Sequence, residues 1–571
     1  MKFQRKALAI AVMVATSTLS ACSSDDIKEL LNLAPTDIKL SNVSVDENAK
    51  GTKIADLSVV DLDLKDSFTY TTNNENFVIS GATLSLAPEY ALDYEKETSV
   101  TFDITVTDSD NNSLTQAFTI EVNDMLDYYG FMSKVGDETK SSVSYGGQSA
   151  RHALIAELKH YIGKGGLQAD LDDSTLTTKA DVIAKLNSLY NADELSWDNL
   201  AITFTTAKQK LFNELSGSYK SLKEKVAGQD TGGQHKDWST EFAGWGAKGS
   251  TTPVDLIDTY FQQIADIAID NLGSERFDPI TSTKIPVYVT DNGTDLNQLI
   301  QKFLLMSVTY SQATDDYLDE EKGLATDNVS GDKEGTKDYT KLEHQFDEGF
   351  GYFGAARDYL AYNDNEIAGK VSSDEDGRSD WNGQHDTDGD GVIDLTSEKN
   401  FGNSINAAKR DRGSKDNAAA TDYTKQAMDA FLMGRKLIND NAGMALTEAQ
   451  MNELLGYRDT AVKAWENAVA GTVVHYINDL HGDLDKVGTA DFSFSDTAKH
   501  FSELKGFALG LQFNPYSPMT DAQFEAMHVL LKDAPVLVGA VAIEAYQADL
   551  IKARDILEAA LSFDTENVAN W

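Results

Sequence analysis

Cysteine is almost absent from this sequence of 571 residues, in which Cys22 is the single example. One cysteine forms no disulfide within the chain, so no disulfide framework stabilises the fold, and a cysteine-rich metal site is excluded. Proline is also scarce, with eight in the whole chain, which favours long helices because proline interrupts them. Packing, hydrogen bonds or bound ions must therefore hold the chain together.

Basic residues are in short supply too, since 92 acidic residues face 49 basic ones and the formal net charge is −43. A surface with this charge repels nucleic acid and anionic lipid and attracts cations. Nucleic-acid binding is therefore excluded as a function. Long hydrophobic runs are missing as well: after the N-terminal segment, no stretch approaches the roughly 20 apolar residues needed to cross a bilayer.

Familiar catalytic motifs are absent from the sequence. The chain has no His-Glu-x-x-His zinc motif, no Gly-x-Ser-x-Gly elbow and no phosphate-binding loop. Nothing in the sequence demands an enzyme, so we favour a binding protein over a catalyst.

The first 22 residues, MKFQRKALAIAVMVATSTLSAC, have the order of a secretory signal: basic residues, a short apolar run and small residues before a cysteine. The residues before Cys22 resemble a bacterial lipobox, which implies a signal peptide over residues 1–21 and lipidation of the cysteine sulfur. Ser23 resembles the residue that follows the cysteine in outer-membrane lipoproteins, so a cell-envelope location is expected. A tether over residues 22–34 follows, and the lipid anchor is the only membrane contact expected. The alternative is a plain signal peptide with an incidental cysteine.

Residues 35–124 have the pattern of a β-sheet domain. Short alternating runs rich in Val, Ile, Thr and Phe, such as KIADLSVVDLDL and SVTFDITVTDSD, are separated by Asn, Asp and Gly. This pattern predicts a small antiparallel β-sandwich.

The motifs VSVDEN, VVDLDL, LDYE and VTDSD in this region resemble a bacterial cadherin-like repeat. In that family, carboxylates at the domain ends share calcium, a cation that takes six to eight oxygen ligands. The resemblance implies that Glu47, Asp93, Glu95 and Asp124 bind calcium at one end. VVDLDLKD lacks the usual Gly after the acidic pair and no second repeat completes the site, so a rigid spacer with acidic loops is the alternative.

Residues 125–571 carry apolar residues at helical spacing, in stretches such as LIDTYFQQIADIAIDNL and TKQAMDAFLMGRKLIND. We therefore predict a multidomain chain, in which an all-β cadherin-like sandwich precedes a large all-α helical-bundle domain. Because this region exceeds the usual size of one core, it is expected to form two packed helical bundles.

One predicted helix, KLEHQFDEGFGYFGAARDY over Lys341–Tyr359, places its phenylalanines on one face. His344, Asp347 and Glu348 share the opposite face. An imidazole with a carboxylate at i+3 or i+4 has the spacing that closes on one metal ion. This face is therefore a candidate metal or ligand site.

Similar spacing recurs in VVHYINDLHGDL, which contains His475, and in AKHFSELKGF, which contains His500 and Glu503. Three helices that each offer an imidazole beside an oxygen ligand resemble the way in which metal sites in bundles are assembled. The sequence does not show that these helices face each other, so ordinary surface or core histidines are the alternative.

EHQFDEGFGYF, NSINAAKRD, TVVHYINDL and SELKGFALGLQFNP, with the lipoprotein start, resemble an uncharacterised family of bacterial lipoproteins known only as domain of unknown function 4856. More distantly, the helix of His344 resembles imelysin-like proteins, which are helical envelope proteins linked to iron uptake. Their motif is Gly-x-His-x-x-Glu, whereas this chain has Leu342 at the Gly position and Asp347 at the Glu position. The resemblance implies an imelysin-like helical fold.

A second acidic motif, HDTDGDGVIDL, has the spacing of a calcium loop, with a glycine at position 6 for the sharp turn. The ligands that this pattern implies are Asp386, Asp388, Asp390, Val392 through its carbonyl, and Asp394. Calcium is therefore the expected cofactor, in a structural role within an insertion at about residues 361–403. An acidic loop without a bound ion is the alternative.

The leading functional prediction is a lipid-anchored envelope protein that binds a metal ion or metal complex during iron acquisition. Iron or another transition metal would suit the imidazole and carboxylate groups of the three helices. A calcium-dependent adhesion protein with a surface partner protein is the second prediction. A metal-dependent hydrolase, which would use a metal-bound water, is the third.

Overall fold

The computed structural model describes residues 33–61, 66–94, 96–229 and 232–571. Cys22 and Glu95, predicted to carry the lipid and to bind calcium, lie outside the described residues. The chain divides into two compact units, Met1–Leu126 and Asp127–Trp571. The predicted order, a β region followed by a largely helical region, is confirmed.

The first unit is built from strands. Their bounds are β1 Asp37–Leu40, β2 Ser44–Asp46, β3 Lys53–Val60, β4 Thr69–Thr72, β5 Phe77–Ser80, β6 Thr83–Leu86, β7 Ser99–Thr107 and β8 Ser113–Asn123. One sheet has the order β1-β3-β6-β5, and the other has the order β2-β8-β7-β4. Neighbouring strands are antiparallel, except that β2 runs parallel to β8.

The two sheets enclose one apolar core, because alternate residues of each strand point inward. In β7, Phe102, Ile104 and Val106 are buried, whereas the residues between them are partly exposed. The ring of Phe102 stacks on that of Phe77 in the other sheet, with 4.1 Å between centroids. Hydrophobic burial of this kind, at about 25 cal/mol per Å² of apolar surface, is what stabilises the unit.

The second unit is mainly helical. Its α-helices of six or more residues are α1 Gly146–Gly163, α2 Gly166–Asp172, α3 Lys179–Tyr190, α4 Pro253–Asp270, α5 Leu296–Leu304, α6 Lys341–Phe353, α7 Gly402–Ser414, α8 Tyr423–Asp440, α9 Glu448–Leu484, α10 Phe494–Gly510, α11 Asp521–Leu531, α12 Ala540–Leu561 and α13 Thr565–Asn570. Two π-helical segments, Leu305–Tyr310 and Ala313–Tyr317, continue α5. A short ribbon pairs β9 Arg276–Phe277 with β10 Lys284–Ile285. In the described part of the chain, no helix is both long and apolar enough to cross a membrane.

The helical region, Asp127–Trp571, forms one compact unit. The reason is α9, a helix of 37 residues that packs against α7, α8, α10 and α12. Thr447 and Gln450 start this helix with a capping box, which satisfies backbone amides that have no partner within the helix. One long central helix therefore gives the surrounding helices a common core.

Helix α6 ends at Phe353, six residues before the end predicted from the sequence. Gly354 follows in the left-handed conformation, with φ of +84°, and its amide donates to the carbonyl of Phe350. A Cβ at Gly354 would lie 2.7 Å from the carbonyl oxygen of Phe401. Glycine is needed here because a side chain disfavours this backbone and would collide with the neighbouring segment.

A buried ion-pair network fastens α6 to α8. Arg435 on α8 is completely buried and donates to Glu343 at 2.8 Å and to Asp347 at 2.7 Å. It also donates to the hydroxyl of Ser142, which precedes α1. If either the buried guanidinium or its carboxylate partners are removed, the remaining groups leave an uncompensated charge inside the protein.

Replacement of this arginine by a neutral side chain of similar length, Arg435→Met, is expected to lower the free energy of unfolding by about 3–5 kcal/mol, because two buried carboxylates lose their partner. Urea unfolding followed by circular dichroism measures the loss. The control is Lys436→Met on the same helix, whose exposed pair with Asp440 contributes about 0.5 kcal/mol. Equal stability of the two variants would contradict the prediction.

Candidate functional site

Asp347, predicted as a metal ligand on α6, is buried and engaged by protein groups. Besides Arg435, its carboxylate accepts from the Tyr129 hydroxyl at 3.0 Å and from the Ser144 amide at 2.9 Å. Both oxygens are therefore used, and the residue joins α6 to α8 and to the segment before α1.

His344 and Glu348 lie one turn apart on α6, with 3.9 Å between Nε2 and Oε1. Nδ1 of His344 lies 2.9 Å from the Ser144 carbonyl, and Glu348 accepts from the Gln148 amide at 2.8 Å. These contacts attach α6 to the start of α1. Among the described residues, no hydrogen bond or ion pair connects this group to the other two predicted histidine helices.

The structure does bring His475 and His500 together, from α9 and α10. Asp479 lies between them: its Oδ2 is 3.3 Å from Nε2 of His475 and 3.9 Å from Nε2 of His500. Nδ1 of His500 donates to Asp483 at 2.7 Å, which orients the ring. The two histidines are thus linked through one carboxylate on the facing surfaces of two helices.

The pKa values of the two imidazoles are shifted in opposite directions. Burial lowers the pKa of His475 to about 3, and the Arg410 guanidinium adds to this effect, so His475 is neutral. Burial also opposes the charge of His500, but the hydrogen bond to Asp483 and the negative charges of Asp479 and Asp483 together outweigh burial and raise the pKa of that ring. The pair therefore combines one neutral and one readily protonated imidazole.

A cleft of about 940 Å³ opens next to this pair, and Glu503, one turn from His500 on α10, lines it. Its lining brings together lysines from α1, α5, α7, α10 and the adjoining segments, namely Lys159, Lys164, Lys302, Lys399, Lys409 and Lys499. The carboxylates in the lining are Asp295, Asp496 and Glu503. We call this feature the lysine cleft.

The lysine cleft reverses the charge balance of the protein. Six lysines and three carboxylates line it, whereas acidic residues outnumber basic ones by 92 to 49 in the chain as a whole. A cleft whose walls carry mainly one sign of charge concentrates ligands of the opposite sign. The cleft is therefore suited to anions, although the rest of the surface repels them.

The lysines differ in how far protein groups neutralise them. Lys302 pairs with Glu503 at 3.1 Å, and the two side chains are only 10% and 6% exposed. Lys409 and Lys499 form no hydrogen bond or ion pair through their ammonium groups with any described residue. Burial lowers the pKa of Lys409 to about 8, and Lys302 adds to the shift. An unpaired ammonium in a sheltered cleft is costly without a ligand.

The sequence interpretation identified Glu503 but missed the lysines. A signal was present in QLIQKFLLM, where Lys302 interrupts an apolar run on what becomes α5. A lysine among core positions needs a nearby partner, because burial disfavours its charge. That the partner is Glu503, and that other lysines lie beside it, depends on how separate helices pack.

In the second acidic motif, one carboxylate oxygen from each of Asp386, Asp388 and Asp390 lies within 4.8 Å of the other two. Asp386 accepts from the amides of Asp390 at 3.1 Å and Gly391 at 2.8 Å, which closes the turn. Gly391 has φ of +87°, as the tight turn requires. Asp394 is used differently, since its Oδ1 accepts from Gln209 at 3.0 Å.

Two further residues shape this loop. The buried carboxylate of Glu398 accepts from the amides of Thr387 at 2.9 Å and Asp394 at 2.7 Å, which braces both ends of the turn. Lys208 lies 2.9 Å from Asp390 and 3.7 Å from Asp388. Its ammonium occupies the position of a counter-ion beside the three clustered carboxylates.

Of the carboxylates assigned to the cadherin-like repeat, Glu47, Asp93 and Asp124 lie within the described residues, where they do not form a cluster with oxygens within 4.8 Å of one another. Both oxygens of Glu47 accept backbone amides, from Tyr94 at 2.6 Å and Met125 at 2.7 Å. Asp93 pairs with Lys96 at 2.8 Å, and Asp124 is exposed. Glu47 therefore ties two loops to the end of β8.

A different acidic group lies at the other end of β8. Oxygens of Asp61, Asp66 and Asp108 can come within 4.8 Å of one another. Asp108 precedes β8 and is buried. Glu47 lies at the opposite end, where it accepts a hydrogen bond from the amide of Met125, just after this strand. The motifs VVDLDL and VTDSD contained Asp61 and Asp108, but strand pairing was needed to show that they meet.

The family comparison covers part of the helical unit. Residues 131–383 match the family described as Domain of unknown function (DUF4856), which confirms the predicted resemblance over that range. No curated protein and no solved structure matches this chain. The matched range supplies Lys159, Lys164 and Lys302 to the lysine cleft, while Glu503 and the histidine pair lie outside it.

The contrast between the two imidazoles gives a prediction for protein with isotope-labelled histidine. His500 should titrate above the ordinary value of 6.5, while His475 stays neutral over about pH 5–8, as their environments dictate. The substitution Asp483→Asn should lower the pKa of His500, because the ring loses its anionic acceptor. Asp485→Asn beside the more exposed His481 is the control. Titration of His475 near 6.5 would contradict the structure.

Proposed function

We propose that this protein is a lipid-anchored binding protein of the cell envelope, and that its lysine cleft takes up an anionic ligand. The observation that carries the proposal is the concentration of six lysines around one cleft in a chain with a net charge of −43. Two of these lysines, Lys409 and Lys499, have no protein partner for their ammonium groups among the described residues. An anion would supply the missing counter-charge.

The positive charge of the lysine cleft favours a metal complex over a free metal ion as the ligand. A bare cation would be repelled by the lysines, whereas iron delivered as an anionic chelate would be attracted. We therefore favour a negatively charged metal complex for the role in iron acquisition. His475, Asp479 and His500 lie next to the cleft, where imidazole and carboxylate groups suit such a metal. No observation in the described residues favours a metal-dependent hydrolase.

The lipid anchor is proposed from the lipobox-like residues before Cys22. In this proposal the anchor holds the protein at a membrane, and the β unit serves as a cadherin-like spacer. Substitution of Cys22→Ser should move the protein from the membrane fraction to the soluble fraction. Retention of that variant in the membrane fraction would argue against the anchor.

Anion binding is tested by calorimetry with citrate and ferric citrate. Lys409→Gln should weaken binding of either anion about tenfold, because one charge-assisted contact is worth about 1.4 kcal/mol or more. The control is Lys425→Gln, an exposed lysine on α8 whose partner is Asp429. Free ferric ion should show no binding that depends on Lys409. The proposal fails if neither anion binds, or if both variants behave like the wild type.

The pH dependence of anion binding has a definite sign. In the free protein the pKa of Lys159 is lowered to about 7 and that of Lys409 to about 8. Both groups bind anions only when protonated, so affinity should be highest below about pH 7 and fall as the pH rises through these values. Binding near pH 7.5 should therefore take up protons. Calorimetry in buffers of different ionisation enthalpy measures this uptake, and proton release would contradict it.

A calcium-dependent adhesion protein is the second candidate function. Two carboxylate clusters favour it, one in each unit: Asp386 with its neighbours in the acidic loop, and Asp108 with Asp61 and Asp66 in the β unit. Calcium takes oxygen ligands, and clustered carboxylates repel each other without a cation. In this proposal, calcium orders the acidic loop and the end of the β unit, and the surface of the helical unit contacts the partner protein.

Calcium should raise the unfolding temperature of the wild-type protein by about 2 °C or more at saturating concentration. Asp386→Asn combined with Asp388→Asn should reduce the effect, whereas Lys208→Gln should strengthen calcium binding by removing the competing ammonium. Asp374→Asn, an exposed acidic residue of the same insertion, is the control. If a calcium chelator abolishes attachment of cells while ferric citrate still binds, adhesion becomes the leading function.

A further inference from the structure

Lys159 and Lys302 lie side by side in the lysine cleft, although both are cations. The two ammonium groups share one acceptor, since Oε1 of Gln301 is 3.5 Å from Nζ of Lys159 and 2.6 Å from Nζ of Lys302. Two amines that share one oxygen are close enough to compete for protons.

Glu503 makes the two amines unequal. Its carboxylate lies 3.1 Å from Nζ of Lys302, which also donates to the side-chain oxygen of Gln298 at 3.4 Å. Burial works against ionisation of Glu503, yet Lys302, together with the charges of Lys499 and Lys159, outweighs burial, and the pKa of this carboxyl lies below its ordinary value. Lys302 and Glu503 therefore form an ion pair. Lys159 lies beside this pair, and its own hydrogen bond to Gln301 is long, at 3.5 Å.

Charged groups from every neighbouring helix act on Lys159. Lys302 on α5 contributes most to lowering its pKa to about 7, followed by burial; Glu503 on α10 opposes the shift and Lys409 on α7 adds to it. Asp295 at the start of α5 is also near, and burial raises the pKa of its carboxyl to about 6. A lysine beside another cation in a sheltered site is the arrangement that makes an amine nucleophilic at neutral pH.

We propose that the Lys159 amine is a reactive nucleophile that forms an imine with a carboxylate-bearing aldehyde or ketone held in the lysine cleft. This inference rests on the proposed function, because the other lysines must hold the anionic end of the ligand. The amine nitrogen of Lys159 attacks the carbonyl carbon, a C–N bond forms and the oxygen takes one amine hydrogen. A proton from solvent then lets water leave, and the product is a protonated imine that water can hydrolyse back.

The geometry favours an anionic carbonyl compound over a neutral one. Lys409 and Lys499 line the same cleft and lack protein partners among the described residues, so they are available to a carboxylate. Lys302 is occupied by Glu503 and is better suited to remain a neighbouring charge than to react. Among the amines of the cleft, Lys159 is therefore the one that combines a lowered proton affinity with free neighbours for the acid group.

Reductive trapping of the full-length protein tests this assignment. Glyoxylate, an anionic aldehyde, is added with cyanoborohydride near pH 7, and peptide mass mapping measures the adduct at each lysine. Labelling of Lys159 should exceed that of Lys552, an exposed lysine on α12, by about tenfold or more. Glycolaldehyde, which is neutral, should show a smaller preference for Lys159. Citrate should suppress the glyoxylate reaction at Lys159 but not at Lys552.

Variants of the neighbour separate a reactive amine from a merely structural one. Lys302→Gln removes the adjacent charge and should move the pH midpoint of Lys159 labelling upward, with about tenfold less labelling near pH 7. Lys302→Arg keeps the charge and should keep the midpoint close to that of the wild type. A midpoint that is the same in all three proteins would overturn the proposal.

The outcomes also separate this inference from the proposed function. If citrate binds in calorimetry but Lys159 is labelled no faster than Lys552, the reactive amine is disproved and anion binding stands. If glyoxylate and glycolaldehyde label Lys159 with the same preference and citrate does not compete, the anionic ligand class is disproved. Preferential labelling of Lys409 or Lys164 would overturn the assignment to Lys159.

Discussion

An excess of carboxylates is the constraint on which the helical unit depends, because each buried one needs a donor or a cation. Glu343 and Asp347 share Arg435, and through it α6 is held against α8. Glu503 is matched by Lys302 in the same way, which joins α10 to α5. With 49 basic residues against 92 acidic ones, few cations remain for other uses. Where buried cations are concentrated without counter-charges, stability alone does not explain them.

The lysine cleft is such a place, and the anion binding that we propose for it rests on that imbalance of charge. Its walls come from helices that are distant in sequence, and two of its partly buried lysines, Lys409 and Lys499, have no partner for their ammonium groups among the described residues. The negative charge of Glu503, 3.1 Å from Lys302, offsets part of the repulsion between Lys159 and Lys302. An anionic ligand would relieve the remaining repulsion, and the same repulsion gives Lys159 its proposed reactivity. Binding and reactivity thus have one electrostatic origin.

Local patterns were sufficient for the elements but not for the site. Alternation identified the strands around Phe102, and helical spacing identified α6 with its buried phenylalanines. The prediction failed at the end of α6, because Gly354 was read as part of the helix. His344 and Asp347 had the spacing of a metal site, yet spacing does not reveal that Arg435 from another helix takes the carboxylate. The helical spacing of His344 and Asp347 was predicted correctly, but the sequence does not show which distant residue contacts Asp347.

The amino-acid sequence by itself determined the order of a β region and a helical region, the near absence of cysteine, the strong negative charge and the acidic loop that begins at Asp386. These properties depend on composition or on residues close in the chain. Only the tertiary structure decided that His475 and His500 lie close together, while His344 contacts Ser144 elsewhere in the helical unit. It also decided that lysines from four helices surround one cleft. Such groups are separated by hundreds of residues in some cases, so helix packing alone brings their charges within range of one another.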